Sequence, residues 1–170
     1  MAEEIINRVA NSPLISIDLE TLIDDLERTT FDLKDLLFQG LVLREKEFRQ
    51  FVKEHDWSQY ANKHVGIYCS TDAIIPTWAY MIITSKLSPY VASVNFGDLE
   101  DINRIIIDKV IDELNVEEYR DKKVVIKGCS KKEVPVSAYV RLTEKLLPVI
   151  SSIMYGEPCS TVPVYKNIKK

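Results

Sequence analysis

Residues 64–69 read His-Val-Gly-Ile-Tyr-Cys, an apolar run with β-branched and aromatic residues that predicts a buried strand. Capping residues follow at 70–72, and a proline at the start of 76–87 suits the first turn of a helix. Because that helix is apolar nearly all round, periodicity alone would also permit a strand there. Residues 90–96 predict the next strand.

The second half of the chain continues the alternation of strands and helices. Asp98 suits the N-cap of a helix whose apolar residues recur at helical spacing, namely Leu99, Ile102, Ile105, Ile106, Val110, Ile111 and Leu114. Residues 123–129 predict a third strand, and a last helix begins near Val136 and runs past Leu147 to Pro148, which should kink or end it. This Rossmann-like rhythm over residues 64–153 predicts a three-layer α/β fold with a mostly parallel sheet.

The length of 170 residues predicts a single domain. In this interpretation residues 1–62 contribute extra strands and a helix, which pack on an α/β core formed by residues 63–165. Residues 162–165 should be extended at a sheet edge or in a loop, and residues 166–170 form a basic tail. Apart from the recurring pair Cys-Ser, the sequence suggests no internal repeat.

Composition excludes several classes of function. The formal net charge of −4 argues against a general nucleic-acid binder. No apolar run approaches the ~18 residues that span a membrane, and no secretory signal is recognised. Three widely spaced cysteines do not form a disulfide framework, so the cytoplasm is expected. Gly-rich nucleotide-binding loops are not found.

Each of the three cysteines, Cys69, Cys129 and Cys159, opens a Cys-Ser pair. Cys69 and Cys129 end predicted strands, so both should lie at the carboxyl edge of the sheet, where open α/β sheets bind ligands. If their strands are neighbours, the two cysteines should be ~5–7 Å apart; if a strand intervenes, ~10 Å. Cys159 follows the last helix, and the chain from residue 150 onward would have to carry it back to this edge.

If the three thiols meet, they form a metal site with Asp72, Asp98 or a histidine as the fourth ligand. Sulfur ligands select zinc, copper(I) or an iron–sulfur cluster. Against this stands the ordinary role of buried cysteine as a small hydrophobe. Two further interpretations stay open: a small anion at the helix N-termini, where the aspartates would instead act as caps, and a nucleophilic cysteine, for which no histidine is well placed.

Several stretches of the chain resemble a known family, namely residues 54–60, 76–81, 96–100, 125–129 and 155–163. These resemble a bacterial family catalogued as domain of unknown function 2480, and the likeness covers nearly the whole chain. Gly128-Cys129 and Pro158-Cys159-Ser160-Thr161 stand as in the family pattern. The resemblance implies a genomic association with iron–sulfur cluster assembly, and so implies iron–sulfur assembly proteins as partners.

Two functions from different classes follow. The first is a cysteine-lined metal or sulfur site at the sheet edge, with zinc or an iron–sulfur cluster as cofactor and a role accessory to iron–sulfur assembly. Its ligands would be Cys129 and Cys159, then Cys69, Asp98 and Asp72. The alternative is a non-catalytic protein-interaction module with structural cysteines and exposed contacts, for example Trp57, Tyr60 or Tyr155. Whether the protein is an enzyme or a homodimer is left open.

Overall fold

The computed structural model describes residues 14–128, 131–157 and 159–168. Its strands are β1 Leu14–Asp18, β2 Arg28–Asp32, β3 Leu37–Phe38, β4 Val42–Leu43, β5 His64–Tyr68, β6 Ser93–Phe96, β7 Lys123–Lys127, β8 Ser152–Glu157 and β9 Ser160–Lys166. Its α-helices are α1 Leu19–Leu22, α2 Glu45–Glu54, α3 Thr77–Leu87, α4 Leu99–Glu113 and α5 Val136–Leu146. Short 3-10 helices cover Leu33–Leu36, Trp57–Tyr60 and Val116–Tyr119.

The chain forms two compact units, each with its own sheet. The central unit, Asp25–Ile105, has the parallel order β2-β5-β6 together with the small β3-β4 pair. The terminal unit combines the described residues up to Asp24 with those from Ile106 onward. Its order is β1-β7-β8-β9, in which only β9 is antiparallel. The predicted α/β class with mostly parallel strands is therefore confirmed.

One expectation about the sheet is wrong. Strands β5 and β6 pair with each other as expected, but β7 belongs to the sheet of the other unit. The alternation of strands and helices predicted one sheet, but each unit adds a strand from an earlier part of the chain. The central sheet includes β2, and the terminal sheet includes β1. That the whole chain forms a single domain, with the two units folded together, stays a prediction.

The two units are built on an internal duplication that the sequence interpretation missed. Two helices of 11 residues, α3 and α5, carry matching residues 59 positions apart, namely Ala79-Tyr80, Thr84 and Lys86-Leu87 against Ala138-Tyr139, Thr143 and Lys145-Leu146. Pro89 and Pro148, which follow the two helices, match at the same spacing. In each helix the buried positions are spaced by four residues, Ala79, Ile83, Leu87 and Ala138, Leu142, Leu146. The Cys-Ser pairs at 69 and 129 are 60 positions apart, one residue out of step with this repeat, so Cys69 and Cys129 are not equivalent positions.

Backbone geometry repeats at the same spacing. Asn62 and Asp121 both adopt a positive φ, 60° and 59°, just before the central strand of their unit. The amide of Asn62 donates to the carbonyl of Tyr90, and the amide of Asp121 donates to that of Val149. Strand pairing repeats as well. The pairing of β5 with β6 begins at His64 and Ser93, and the pairing of β7 with β8 begins 59 residues later, at Lys123 and Ser152. The two units are therefore structural repeats of one another.

Each unit buries its own apolar core between helices and sheet. In the terminal unit the core joins the second half of α4 and the inner face of α5 to β7 and β8. In the central unit it joins α2 and α3 to β2 and β5, and includes Trp57. At ~25 cal/mol per Å² of buried apolar surface, these contacts are the main stabilising term in each unit.

The chain after α5 differs from expectation. The helix ends at Leu146, close to Pro148 as predicted, but residues 152–157 form the parallel strand β8 rather than a connecting loop. This strand brings the chain to the carboxyl end of the sheet directly. Residues 162–165 lie in β9 at the edge of the sheet, as the proline there required.

None of the helices formed by the described residues is both long enough and apolar enough to cross a membrane.

Candidate functional site

Cys69 and Asp98 lie at the carboxyl edge of the central sheet, after neighbouring strands β5 and β6. Cys69 is half-buried and packs against the central core, and its Sγ lies 3.3 Å from Oγ1 of Thr71. Burial raises the pKa of the nearby Tyr80, and a negative charge on the Cys69 thiol would raise it further. Cys69 therefore packs partly into the apolar core, and its thiol also contacts the polar side chain of Thr71.

The two predicted aspartate ligands have different settings. The Oδ1 atom of Asp98 accepts hydrogen bonds from the amides of Glu100 and Asp101 at 2.9 and 3.1 Å, so Asp98 caps α4. Asp72 is exposed in the segment between β5 and α3, and its side chain makes no hydrogen bond or ion pair with another described residue. The capping role that the sequence predicts for Asp98 is confirmed.

A third aspartate at this edge, Asp32, was not among the predicted site residues. Its carboxylate accepts hydrogen bonds from the amides of Lys34 and Ser70, and the second of these ties the end of β2 to the segment after β5. Burial alone would raise the pKa of Asp32, but a hydrogen bond from the Ser70 side chain, the two amide hydrogen bonds and the Lys34 charge together hold this pKa below its ordinary value. Asp32 therefore organises the loop that follows Cys69.

Of the other two cysteines, the structure describes Cys159, which lies in the terminal unit. Cys159 is exposed, in the turn that links β8 and β9. The Nζ atom of Lys127 lies 3.7 Å from a carboxylate oxygen of Asp18 and 3.8 Å from one of Glu157, so a lysine joins the ends of β1, β7 and β8. Cys129, the first predicted ligand, lies outside the described residues.

The five predicted ligands are thus divided between the units. Cys69, Asp72 and Asp98 belong to the central unit, whereas Cys159 belongs to the terminal unit, as does the position of Cys129 in the chain. Within the described ranges 14–128, 131–157 and 159–168, three or more histidine, cysteine or acidic side chains nowhere form a group that could hold a metal ion.

A wide concave surface on the terminal unit is an apolar groove with a volume of about 870 Å³. One wall is a second face of α5, turned away from its buried residues, and the other wall is the sheet. Its lining residues are Ile126, Val134, Val136, Tyr139, Val140, Thr143, Glu144, Leu147, Ile153, Tyr155 and Val164. Val136 and Val140 are 77% and 66% exposed, which is unusual for aliphatic side chains on a helix that also packs into a core.

The groove depends on a strand that only the terminal unit has. Val164 belongs to β9, the antiparallel edge strand, and forms the outer wall. The central unit, all of whose residues are described, ends its sheet at β6. It repeats the inner part of the surface: Tyr80 packs edge-on against Phe96 at 5.6 Å, as Tyr139 packs against Tyr155 at 5.8 Å.

The sequence interpretation missed this groove, although the chain carries a pattern for it. Val136, Val140 and Leu147 form a second apolar stripe on the last helix, beside the one that enters the core. Of the proposed contact aromatics, Tyr155 is exposed and lines the groove. Trp57 is buried, 7% exposed, with its indole N–H donating to the carbonyl of Val52, so its assignment as an exposed contact was wrong.

A histidine held among aromatic rings distinguishes the central core. His55 lies 4.6 to 5.9 Å, centroid to centroid, from the rings of Phe31, Phe51, Trp57 and Tyr60. Its Nε2 lies 3.3 Å from the hydroxyl of Tyr60. Burial lowers the pKa of His55, and the neighbouring Asp56 only partly offsets this.

Comparisons with known proteins agree with the resemblance seen in the sequence. A search of curated proteins and a search of solved structures each found no match. The model of one family, described as "Protein of unknown function (DUF2480)", matches residues 3–167. The chain therefore belongs to the family of domain of unknown function 2480.

Proposed function

We propose that the protein is an interaction module that binds a partner polypeptide in the apolar groove of the terminal unit. The observation that carries this proposal is the exposure of Val136 and Val140 beside a cavity of about 870 Å³. Contiguous apolar surface of this kind marks binding sites, because exposing it to water without a partner is unfavourable.

The lining of the groove defines the chemistry of its partner. The exposed stripe of α5 runs along one wall, which suits an amphipathic helix laid alongside it with apolar residues spaced three, four and seven apart. Among the lining residues, all of which the structure describes, Glu144 alone is charged. A lysine or arginine beside the apolar stripe of the partner would complement it.

Site-specific photo-crosslinking in cells that express the full chain tests this proposal. A photoreactive residue at Val140 should trap a partner, whereas one at Lys109, which is exposed on α4 of the same unit, should not. The trapped protein is then titrated with purified wild type and with Val140→Lys. We expect the substitution to weaken binding at least tenfold, because it places a charge in the apolar contact.

Three results would contradict the proposal. The first is equal crosslinking at the two positions, and the second is a trapped protein that binds Val140→Lys as tightly as wild type. The third is a crosslink to a small apolar molecule. A crosslink to a second copy, with dissociation by Val140→Lys, would identify the partner helix as one of this chain.

A second candidate function is a thiol site at the carboxyl edge of the terminal sheet, accessory to iron–sulfur assembly. Strands β7 and β8 are parallel neighbours, with Ile126 opposite Tyr155. Cys129 comes three residues after Ile126 in the chain, and Cys159 comes four residues after Tyr155. This placement of adjacent strand ends supports a shared site for zinc or an iron–sulfur cluster, with the assembly proteins as partners.

Metal titration of anaerobically purified protein tests the thiol site. We expect Cys129→Ser and Cys159→Ser each to weaken zinc binding at least tenfold, while Cys69→Ser, in the other unit, leaves it unchanged. Equal loss in all three variants, or no zinc binding by wild type, would remove this candidate.

The free thiols of Cys69 and Cys159 support the further proposal that the protein resides in the reducing cytoplasm.

A further inference from the structure

A second concave surface lies in the central unit, between α2 and the end of α3. Its volume is about 530 Å³, within the size range of small-molecule sites. The lining residues are Arg49, Val52, Lys53, Trp57, Ile82, Ser85, Lys86, Pro89 and Tyr90. We refer to this surface as the cationic cleft, because three basic side chains and no acidic one line it.

The positive charge of the cationic cleft is poorly compensated. Lys53 and Lys86 are exposed, and neither has a hydrogen bond or ion pair to a described residue. Arg49 contacts Glu45 through Nε at 2.8 Å, and Arg49 makes no other ion pair with the described residues. The hydroxyl of Ser85 donates to the carbonyl of Ile82, so the three basic side chains and the hydroxyl of Tyr90 are the side-chain hydrogen-bond donors that the cleft offers.

The duplication provides an internal comparison for this cleft. One repeat later, Lys53 becomes Asp112 and Ile82 becomes Arg141. In the terminal unit the guanidinium of Arg141 donates two hydrogen bonds to one carboxylate oxygen of Asp112, at 2.9 and 2.7 Å, and one to the other oxygen, at 2.6 Å. A carboxylate of the chain itself therefore neutralises the basic side chain there.

The lysine that both units share behaves differently in each. Lys145 of the terminal unit donates to the carbonyls of Ile111 and Asp112 at the end of α4. The equivalent Lys86 makes no such contact with α2. Lysines in the last turn of a helix commonly offset the helix dipole, and this explains Lys145. It does not explain why Lys53, Lys86 and Arg49 all line one cavity with no acid among them.

We propose that the cationic cleft binds a small organic phosphate that carries an aromatic or apolar group. The phosphate would lie beside Lys53, Lys86 and Arg49 and would supply the negative charge that the Asp112 carboxylate supplies in the terminal unit. The apolar part would lie against Ile82 and the exposed ring of Tyr90. A dianion suits a site with three cations better than a single carboxylate does.

Calorimetric titration with phenyl phosphate tests the proposal on the full chain. This probe combines a dianion with one planar ring, and we expect saturable binding with a Kd below about 1 mM. Inorganic phosphate, which lacks the ring, and phenol, which lacks the charge, should each bind at least fivefold more weakly. Benzoate should also bind more weakly, since it carries one charge instead of two. Binding should weaken as salt is added, because the cations are exposed.

Charge-matched variants locate the binding site. Lys53→Gln and Lys86→Gln should each lower the affinity for phenyl phosphate about three- to tenfold. Lys46→Gln, which removes the same charge from an exposed position of α2 outside the cleft, should leave the affinity unchanged. Absence of saturable binding to wild type would overturn the proposal, as would equal affinity in all three variants. The thiol and groove proposals concern the other unit and do not depend on this result.

Discussion

The central and terminal units share one backbone plan and differ in what their surfaces offer. Both place a parallel strand triplet under an 11-residue helix that begins after a proline and buries every fourth residue. The terminal unit adds β9, which forms a wall of an apolar groove, and pairs Arg141 with Asp112 at the positions equivalent to Ile82 and Lys53. The central unit lacks this strand and keeps its cleft cationic. Duplication thus conserved the packing and left the outward-facing positions free to diverge.

The largest expected effect concerns packing at Gly66. A Cβ there would meet the carbonyl oxygen of Gly97 and would come within 2.8 Å of Cδ1 of Ile102. The equivalent position in the terminal unit holds the fully buried Val125. We expect Gly66→Ala to cost about 2–4 kcal/mol in urea unfolding, since overpacking here involves backbone. A cost below about 0.5 kcal/mol would mean that the two strand triplets are packed alike.

The next effect comes from making the central cleft resemble the terminal one. The double substitution Lys53→Asp with Ile82→Arg reproduces the pair Asp112–Arg141, and we expect it to lower phenyl phosphate affinity more than tenfold. Because both positions are near the surface, the unfolding free energy should change by less than about 1 kcal/mol. If the double variant bound phenyl phosphate about as tightly as wild type, the phosphate would not bind beside Lys53, and the proposed site would be wrong.

A smaller effect distinguishes the apolar groove beside α5 from the equivalent exposed face of α3. Val140 and its equivalent Met81 are similarly exposed, at 66% and 67%, but only Val140 lines the groove walled by β9. We expect Val140→Lys to weaken partner binding at least tenfold and Met81→Lys to leave it intact. Both variants should unfold within about 0.5 kcal/mol of wild type, because neither side chain is buried. Equal loss of binding in both would indicate that the groove is not the distinguishing feature.

The smallest effect is a pH dependence confined to the central unit. Burial among aromatic rings lowers the folded-state pKa of His55 below its ordinary value near 6.5. The unfolded chain therefore binds more protons in this range, so stability is complete above pH ~6.5 and falls as the pH decreases from there toward the folded-state pKa. The equivalent residue is Leu114, so His55→Leu should flatten the stability profile measured by denaturant unfolding between pH 7 and 5. An unchanged slope would assign the dependence to another group.

The sequence predicted local structure well, because the relevant information is local. Apolar periodicity located α4, the prolines located the start of α3 and the end of α5, and β-branched runs located β5 and β7. It failed at pairing, since nothing local shows that β7 pairs with β1 and β5 with β2. The duplication was missed because the repeat preserves buried and turn positions while most surface residues differ.

The candidate sites were harder to predict for a related reason. Cysteines attract attention as residue types, yet the fold assigns Cys69 and Cys159 to different units. The groove and the cationic cleft are formed by ordinary residues such as Val140 and Lys53, whose importance depends on what other elements bring beside them. Only the comparison of equivalent positions in the two units shows which of these residues depart from the shared plan.

The central claim is that one repeated backbone carries two chemically different surfaces. An amide NMR titration of the full chain with phenyl phosphate tests it most directly. We predict saturable shifts in the central unit, concentrated on residues 49–57 and 82–90, with no matching shifts at the equivalent residues 108–116 and 141–149 of the terminal unit. Equal shifts in both regions, or shifts confined to the terminal unit, would contradict the claim.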